Sequence, residues 1–200
     1  MKLLIATKNK GKINELKKAL RGTGITPFSL LDYSGAPEFE EPGKSFPENA
    51  CAKALFYHQR FKLPTMADDS GLSVTALHGE PGVHSARYGG KGITDEERNK
   101  LLLSALSDIP KDKRTASFHC ALAFADHGEV IKLVEETCDG LILTHPRGRL
   151  GFGYDPIFYY PPLGKTFAEL HSEVKNAVSH RGRAISRMTA FLRNYLRKKG

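Results

Sequence analysis

The chain has 200 residues, 40% of them apolar and 26% charged, and 30 Lys and Arg against 22 Asp and Glu give a formal net charge of +8. That is enough for one sizeable domain over residues 1–200, and no apolar run approaches the roughly 20 residues of a membrane span. The positive balance favours an anionic partner, either nucleic acid or a polyphosphate. Cys51, Cys120 and Cys138 are odd in number, widely spaced and free of any C-x-x-C pattern, which argues for reduced thiols in the cytosol and against a zinc site or disulfide frame. The apolar run at residues 2–6 is too short for a signal-peptide core and reads better as a strand.

Residues 2–6 read as a first strand. Thr7-Lys8-Asn9-Lys10-Gly11-Lys12 follows, and then Ile13, Leu16 and Leu20 recur at helical spacing. A lysine-rich loop between a strand and a helix start aims backbone N–H groups and the positive end of the helix dipole at an anion. Lys8, Lys10 and Lys12 add point charges suited to phosphate, although the spacing is not that of a Walker A loop. Residues 22–44 are rich in Gly, Pro and acidic groups and read as a solvated loop; its Glu38, Glu40 and Glu41 could bring a carboxylate toward a metal. Ser45-Phe46-Pro47-Glu48 is a capping box with Pro in the first turn, opening a helix to about residue 60. Asn49 and Lys53 lie on a different side of it from Ala50, Ala54 and Tyr57, so they either point together into a cleft or are simply exposed.

A short apolar strand over 63–67 leads into Asp68-Asp69-Ser70-Gly71. Ser70 and Gly71 are expected to turn the chain, leaving two carboxylates at a strand's carboxyl end, where open α/β sheets bind ligands. Adjacent carboxylates there suit Mg²⁺, which is held by one or two carboxylates plus substrate phosphates; the same residue types also make a plain polar turn. Residues 72–77 read as a strand and 79–90 as a long Gly-rich loop. Thr94-Asp95-Glu96-Glu97 is a second capping box, before a helix burying Leu101, Leu102 and Leu106. Residues 115–125 and 130–134 read as a hairpin around Asp126-His127-Gly128-Glu129, expected to form a second lobe, with a further strand over 141–143. His119 reads as a structural histidine within the hairpin.

In Gly151-Phe152-Gly153-Tyr154-Asp155-Pro156 the glycines allow close backbone approach to a ligand, and Phe152 and Tyr154 offer faces for stacking a base. Gly164-Lys165-Thr166 has the tail of a P-loop, but Tyr159 stands where its first Gly is required. Thr166-Phe167-Ala168-Glu169 is instead a third capping box, opening a helix with Lys175 near its end. Ser179-His180-Arg181-Gly182 breaks that helix, and the last one buries Ile185, Met188, Leu192 and Tyr195. His180 and Arg181 can donate hydrogen bonds to a purine edge or a phosphate; a basic helix start is unfavourable unless an anion is nearby. Arg187, Arg193, Arg197, Lys198 and Lys199 make a basic tail, read as a solvated helix end in preference to a binding arm. The element order gives a mixed α/β protein.

Ala6-Thr7-Lys8-Asn9-Lys10-Gly11-Lys12, Asp68-Asp69-Ser70-Gly71-Leu72, Pro81-Gly82-Val83-His84-Ser85-Ala86-Arg87-Tyr88, Gly151-Phe152-Gly153-Tyr154-Asp155-Pro156 and Ser179-His180-Arg181-Gly182 stand in the order and at the intervals of one family. From first strand to last helix the chain resembles the inosine triphosphate pyrophosphatase family, in its bacterial dITP/XTP pyrophosphatase branch. The resemblance implies an α/β fold, an elongated mixed sheet with flanking helices, with two lobes around a deep nucleotide-binding cleft. It implies a cytoplasmic homodimer, with neither nucleic acid nor membrane as partner, that uses Mg²⁺ to hydrolyse ITP, dITP and XTP to the monophosphate and pyrophosphate, cleansing the nucleotide pool.

Carried over by position, Asp69 resembles the family's proton acceptor and a metal ligand, with Asp68 beside it as the alternative acceptor. Glu40 or Glu41 resembles the second acidic metal position. Thr7, Lys8, Asn9, Lys10, Gly11 and Lys12, with Ser70, resemble the triphosphate binders; Lys8 stands where relatives often carry Gly. Phe152, Gly153, Tyr154, Asp155, Lys175, His180 and Arg181 resemble the nucleoside-binding set. On this reading Lys12 and Lys53 stabilise the leaving pyrophosphate. His180 and Arg181, with backbone donors, bind the 6-oxo group, and such a site rejects adenine by ~10⁴-fold because its donors are left unpaired. Three alternatives stand beside it. One is a pyrophosphatase for other modified triphosphates. Another is a nucleic-acid-binding module, for which no RNP-type motif is present. The third is a nucleotide sensor without turnover, against which Asp69 speaks.

Overall fold

The computed structural model describes residues 1–41, 43–90 and 92–198, so Lys199 of the basic tail lies outside the described residues. Its strands are β1 (Lys2–Ile5), β2 (Thr26–Ser29), β3 (Thr65–Val74), β4 (Thr115–Asp126), β5 (Glu129–Ile142), β6 (Phe158–Tyr160) and β7 (Lys165–Thr166). Its helices are α1 (Lys10–Ala19), α2 (Phe46–Phe61), α3 (Asp95–Ala105), α4 (Ser172–Val178) and α5 (His180–Arg197). The strands form one open sheet in the order β2-β1-β3-β4-β5-β6-β7. β1 runs parallel to β2 and β3, and β6 runs antiparallel to β5 and β7. The expected mixed sheet with flanking helices is thus what the chain forms. No helix among the described residues is long and apolar enough to cross a membrane, and Cys51, Cys120 and Cys138 form no disulfide.

The chain divides into two compact units, residues 1–69, 120–136 and 181–200, and residues 70–119 and 137–180. In the first unit, strand alternation sorts the core into two layers. Leu3, Ile5, Met66, Cys120, Leu122 and Phe124 pack with Leu16 of α1, with Leu20 that caps it, and with Ile185, Met188 and Leu192 of α5. The intervening Leu4, Ala6, Ala67, Ala121, Ala123 and Ala125 pack with Ala50, Ala54 and Tyr57 of α2. In the second unit Leu72, Val74, Leu102, Leu106, Phe118, Phe158 and Phe167 form a separate core.

Several sequence expectations are corrected. The strand does not end at Asp69: Ser70 and Gly71 continue it to Val74. Gly71 is needed for close packing, because a Cβ there would run into Ser85 Oγ and the Gly82 carbonyl oxygen. Residues 72–74 therefore finish β3, and Thr75–Leu77 is a 3-10 turn. The loop expected over 22–44 contains strand β2. The strand expected over 141–143 is the end of β5, which reaches Ile142. The hairpin makes no lobe of its own, since its turn end belongs to the first unit and the outer parts of its strands to the second. Its turn uses the positive φ of His127 and Gly128, as a tight two-residue connection requires. The box Thr166–Glu169 caps a 3-10 turn, and Lys175 sits on the separate helix α4. Leu101 is exposed, while Leu102 and Leu106 are buried as expected.

Candidate active site

Alternation along β3 sends the adjacent carboxylates to opposite faces of the sheet. Asp68 follows Met66 toward α1 and α5. There it accepts hydrogen bonds from Lys12 Nζ and, at 3.0 Å, from Arg181 Nε. Arg181 Nη1 also donates to Glu15 Oε2 at 3.3 Å, and Cys120 Sγ lies 3.5 Å from Asp68 Oδ2. Burial opposes the charge on Arg181, but Asp68 and Glu15 more than offset it and hold its pKa above the usual value. Burial, helped by Asp68, pushes the Cys120 thiol well up. The anion that the basic start of α5 called for is therefore supplied by the chain itself. Glu15 was not singled out from the sequence; its place three residues after Lys12 on α1 is the signal that could have found it.

Asp69 follows Ala67 to the other face, toward α2. It is 5% exposed, and its Oδ2 is buried without a hydrogen-bond partner. Burial raises its pKa and the charge of Glu41 raises it further, while Lys53, Lys12 and Asn49 act in the opposite sense. Lys53 Nζ donates to Glu41 Oε1 at 2.6 Å. Asn49, buried on α2, accepts from Gly43 N at 2.8 Å through Oδ1. Its Nδ2 completes no hydrogen bond of normal geometry. Of the two candidate acids, Glu41 is half-buried and acts on Asp69, whereas Glu40 is exposed. A buried carboxylate with a raised pKa and an unpartnered oxygen has the properties of a general base.

Among the described residues no group of three or more His, Cys, Asp or Glu side chains gathers to hold a metal ion. Asp69 and Glu41 offer two carboxylates, one of them with a buried oxygen that lacks a partner. That donor set fits Mg²⁺, whose shell is completed by phosphate oxygens and water, and does not make an all-protein cage. The lysine-rich loop is ordered by its own polar groups. Thr7 Oγ1 accepts from Asn9 N at 3.1 Å, and Asn9 Oδ1 caps α1 by accepting from Lys12 N at 3.0 Å. Lys8 and Lys10 are exposed and Gly11 is half-buried. No acidic residue stands in the first turn of α1, so the charge at this helix end suits an anion.

The second unit gathers another set. Lys175 Nζ donates to Asp155 Oδ2 at 2.5 Å and stands 4.8 Å from the centre of the Phe152 ring. Asp155 Oδ2 also accepts from Phe152 N at 2.9 Å. The His180 ring stacks on Phe118 at 4.6 Å, and Phe118 stacks in turn on Phe167. Tyr154 is not a stacking face: it is buried in the core of this unit, and its hydroxyl donates to Ser85 O at 2.9 Å. Ser70, half-buried, follows Asp69 along β3.

The family model for the Ham1 family matches residues 3–191. The chain is 50% identical over 186 residues to the dITP/XTP pyrophosphatase of Geobacillus kaustophilus, covering 93% of this chain and 91% of that protein. It is 49% identical over 185 residues to the dITP/XTP pyrophosphatase of Geobacter sulfurreducens, covering 92% and 93%. Among solved structures, the Ham1 protein of Staphylococcus aureus superposes with a TM-score of 0.86 at 38% identity, covering 98% of this chain and 100% of that one. A HAM1 protein from Coxiella burnetii gives 0.85 at 40% identity, covering 96% and 98%. The family read from five sequence motifs is borne out: the chain belongs to the Ham1 family.

Proposed function

We propose that this chain hydrolyses the deaminated purine nucleoside triphosphates dITP, ITP and XTP to the monophosphate and pyrophosphate. Its family and its dITP/XTP pyrophosphatase relatives make it a nucleoside-triphosphate pyrophosphatase. The observation that carries the residue assignment is the buried, unpartnered Oδ2 of Asp69 beside Glu41 and Lys53. Asp69 takes the proton from the water that attacks the α-phosphorus. Asp69 and Glu41 would hold Mg²⁺, which would supply neutralisation of the phosphate charge. Lys12 and Lys53 stabilise charge on the departing pyrophosphate. Thr7, Lys8, Asn9, Lys10 and Gly11, with Ser70, bind the phosphates.

Base recognition is assigned to the second unit. Phe152 stacks on the base, with Asp155 and Lys175 fixing its backbone and ring. His180 donates to the 6-oxo group of hypoxanthine or xanthine; adenine carries an amino group there and leaves the donor unpaired. The Arg181 guanidinium, taken by Asp68 and Glu15, fixes the start of α5. A cytoplasmic homodimer completes the proposal and rests on the family resemblance.

The test is pyrophosphate release from dITP, ITP, XTP, GTP and ATP, with Mg²⁺ and with chelator. Turnover of the first three, ~10⁴-fold weaker turnover of ATP and none in chelator are expected. Equal turnover of all five sinks the base assignment. No turnover of any leaves a nucleotide sensor.

A further inference from the structure

We infer that Asp95 and Asn99 of α3 are positioning residues for Phe152 and set how tightly the base is held. The inference rests on Phe152 being the base-stacking residue of the proposed function. Asp95 and Asn99 are four apart and so lie on one face of α3. Asp95 Oδ2 accepts from Gly153 N at 2.7 Å, and Asn99 Nδ2 donates to Gly153 O at 3.0 Å. Both backbone polar groups of the residue after Phe152 are thereby held by one helix face. Phe152 N is held from the other direction by Asp155.

A pocket of about 550 Å³ is lined by Asp95, Asn99, Leu103, Gly151, Phe152 and Gly153, among others. A Cβ on Gly153 would meet nothing within 4 Å, but the residue's φ of +62° is one that few side chains favour. Asn99 is 4% exposed, and its Oδ1 has no hydrogen-bond partner, so its donation to Gly153 is the bond that its burial serves. The helix is itself fixed. Thr94 and Glu97 form a reciprocal capping box, and Arg98 donates to Tyr88 O at 2.8 Å and to Ile93 O at 3.2 Å.

The test compares Asp95→Ala, Asp95→Asn, Asn99→Ala, Phe152→Ala and the Asp95→Ala/Phe152→Ala double variant, each checked for folding by thermal melting. KM and kcat are measured for dITP and ATP with Mg²⁺. Asp95→Ala and Asn99→Ala should raise KM for dITP about tenfold, with kcat within about twofold. Asp95→Asn keeps the acceptor and should stay near wild type. The KM effects of Asp95→Ala and Phe152→Ala should not add, because both act through one ring. Additive effects, or an unchanged KM in folded Asp95→Ala, overturn the inference even if Asn99→Ala fails to fold. A wild type that does not prefer dITP to ATP overturns the proposed base recognition, and this inference with it.

Discussion

On one face of β3 the Asp68 carboxylate is neutralised by Lys12 and Arg181, and Arg181 is shared with Glu15. One residue further on, on the other face, Asp69 is also buried, but it keeps an oxygen without a partner and a pKa raised by burial and by Glu41. Burial is common to the two carboxylates; completeness of the partner set is what differs. A buried ion cluster with its charges matched ties elements together, here α1, β3 and α5. A buried carboxylate left short of partners is destabilising unless a ligand completes it, and a proton or a metal ion can do so.

The largest effect should come from Asp69→Asn. Its kcat on dITP with Mg²⁺ should fall by about 10² to 10⁴-fold, the range of a lost general base, with no loss of folding stability. Asp68→Ala should do the reverse. Breaking the buried cluster removes the acid that pairs with Lys12 and one of the two that hold Arg181, and should lower the unfolding free energy by about 3–5 kcal/mol in urea titrations. A change under 1 kcal/mol would remove the anchoring role. Phe152→Ala should raise KM for dITP by the ~1–3 kcal/mol of one stacked base, roughly 5- to 150-fold.

The smallest effect is in pH dependence, measured without metal. Because the folded pKa of Asp69 lies above its unfolded value, the folded state holds this proton more tightly. Stability from this group therefore falls as pH rises from the unfolded pKa through the folded one. Asp69→Asn, which never ionises, should be more stable than wild type above that window, and the difference should close below it. A difference that stays constant from acid to neutral pH would mean that Asp69 is not strained by its charge.

Much of this was legible in the sequence because the signals are local. The boxes at Ser45 and Thr94 mark true helix starts, and apolar spacing identified the buried faces of α1 and α5. Asn49 and Lys53 do converge, on Asp69 and Glu41 respectively. What failed needed long-range contacts. Gly71 looks like a turn residue until Ser85 and Gly82 are seen against it. Tyr154 looks like a stacking face until its hydroxyl is found on Ser85. Arg181 looks like a free cation until Asp68, 113 residues earlier, is placed beside it. Strands as short as β6 and β7, of 3 and 2 residues, carry too little alternation to be read.

The most direct test of the contrast across β3 sets Asp68→Asn beside Asp69→Asn, with dITP turnover and unfolding free energy measured on each. The expected result is loss of turnover by at least ~100-fold with stability retained in Asp69→Asn. Asp68→Asn should lose stability but keep turnover within about tenfold while folded. Loss of turnover in Asp68→Asn with an active Asp69→Asn would contradict the assignment of base and anchor.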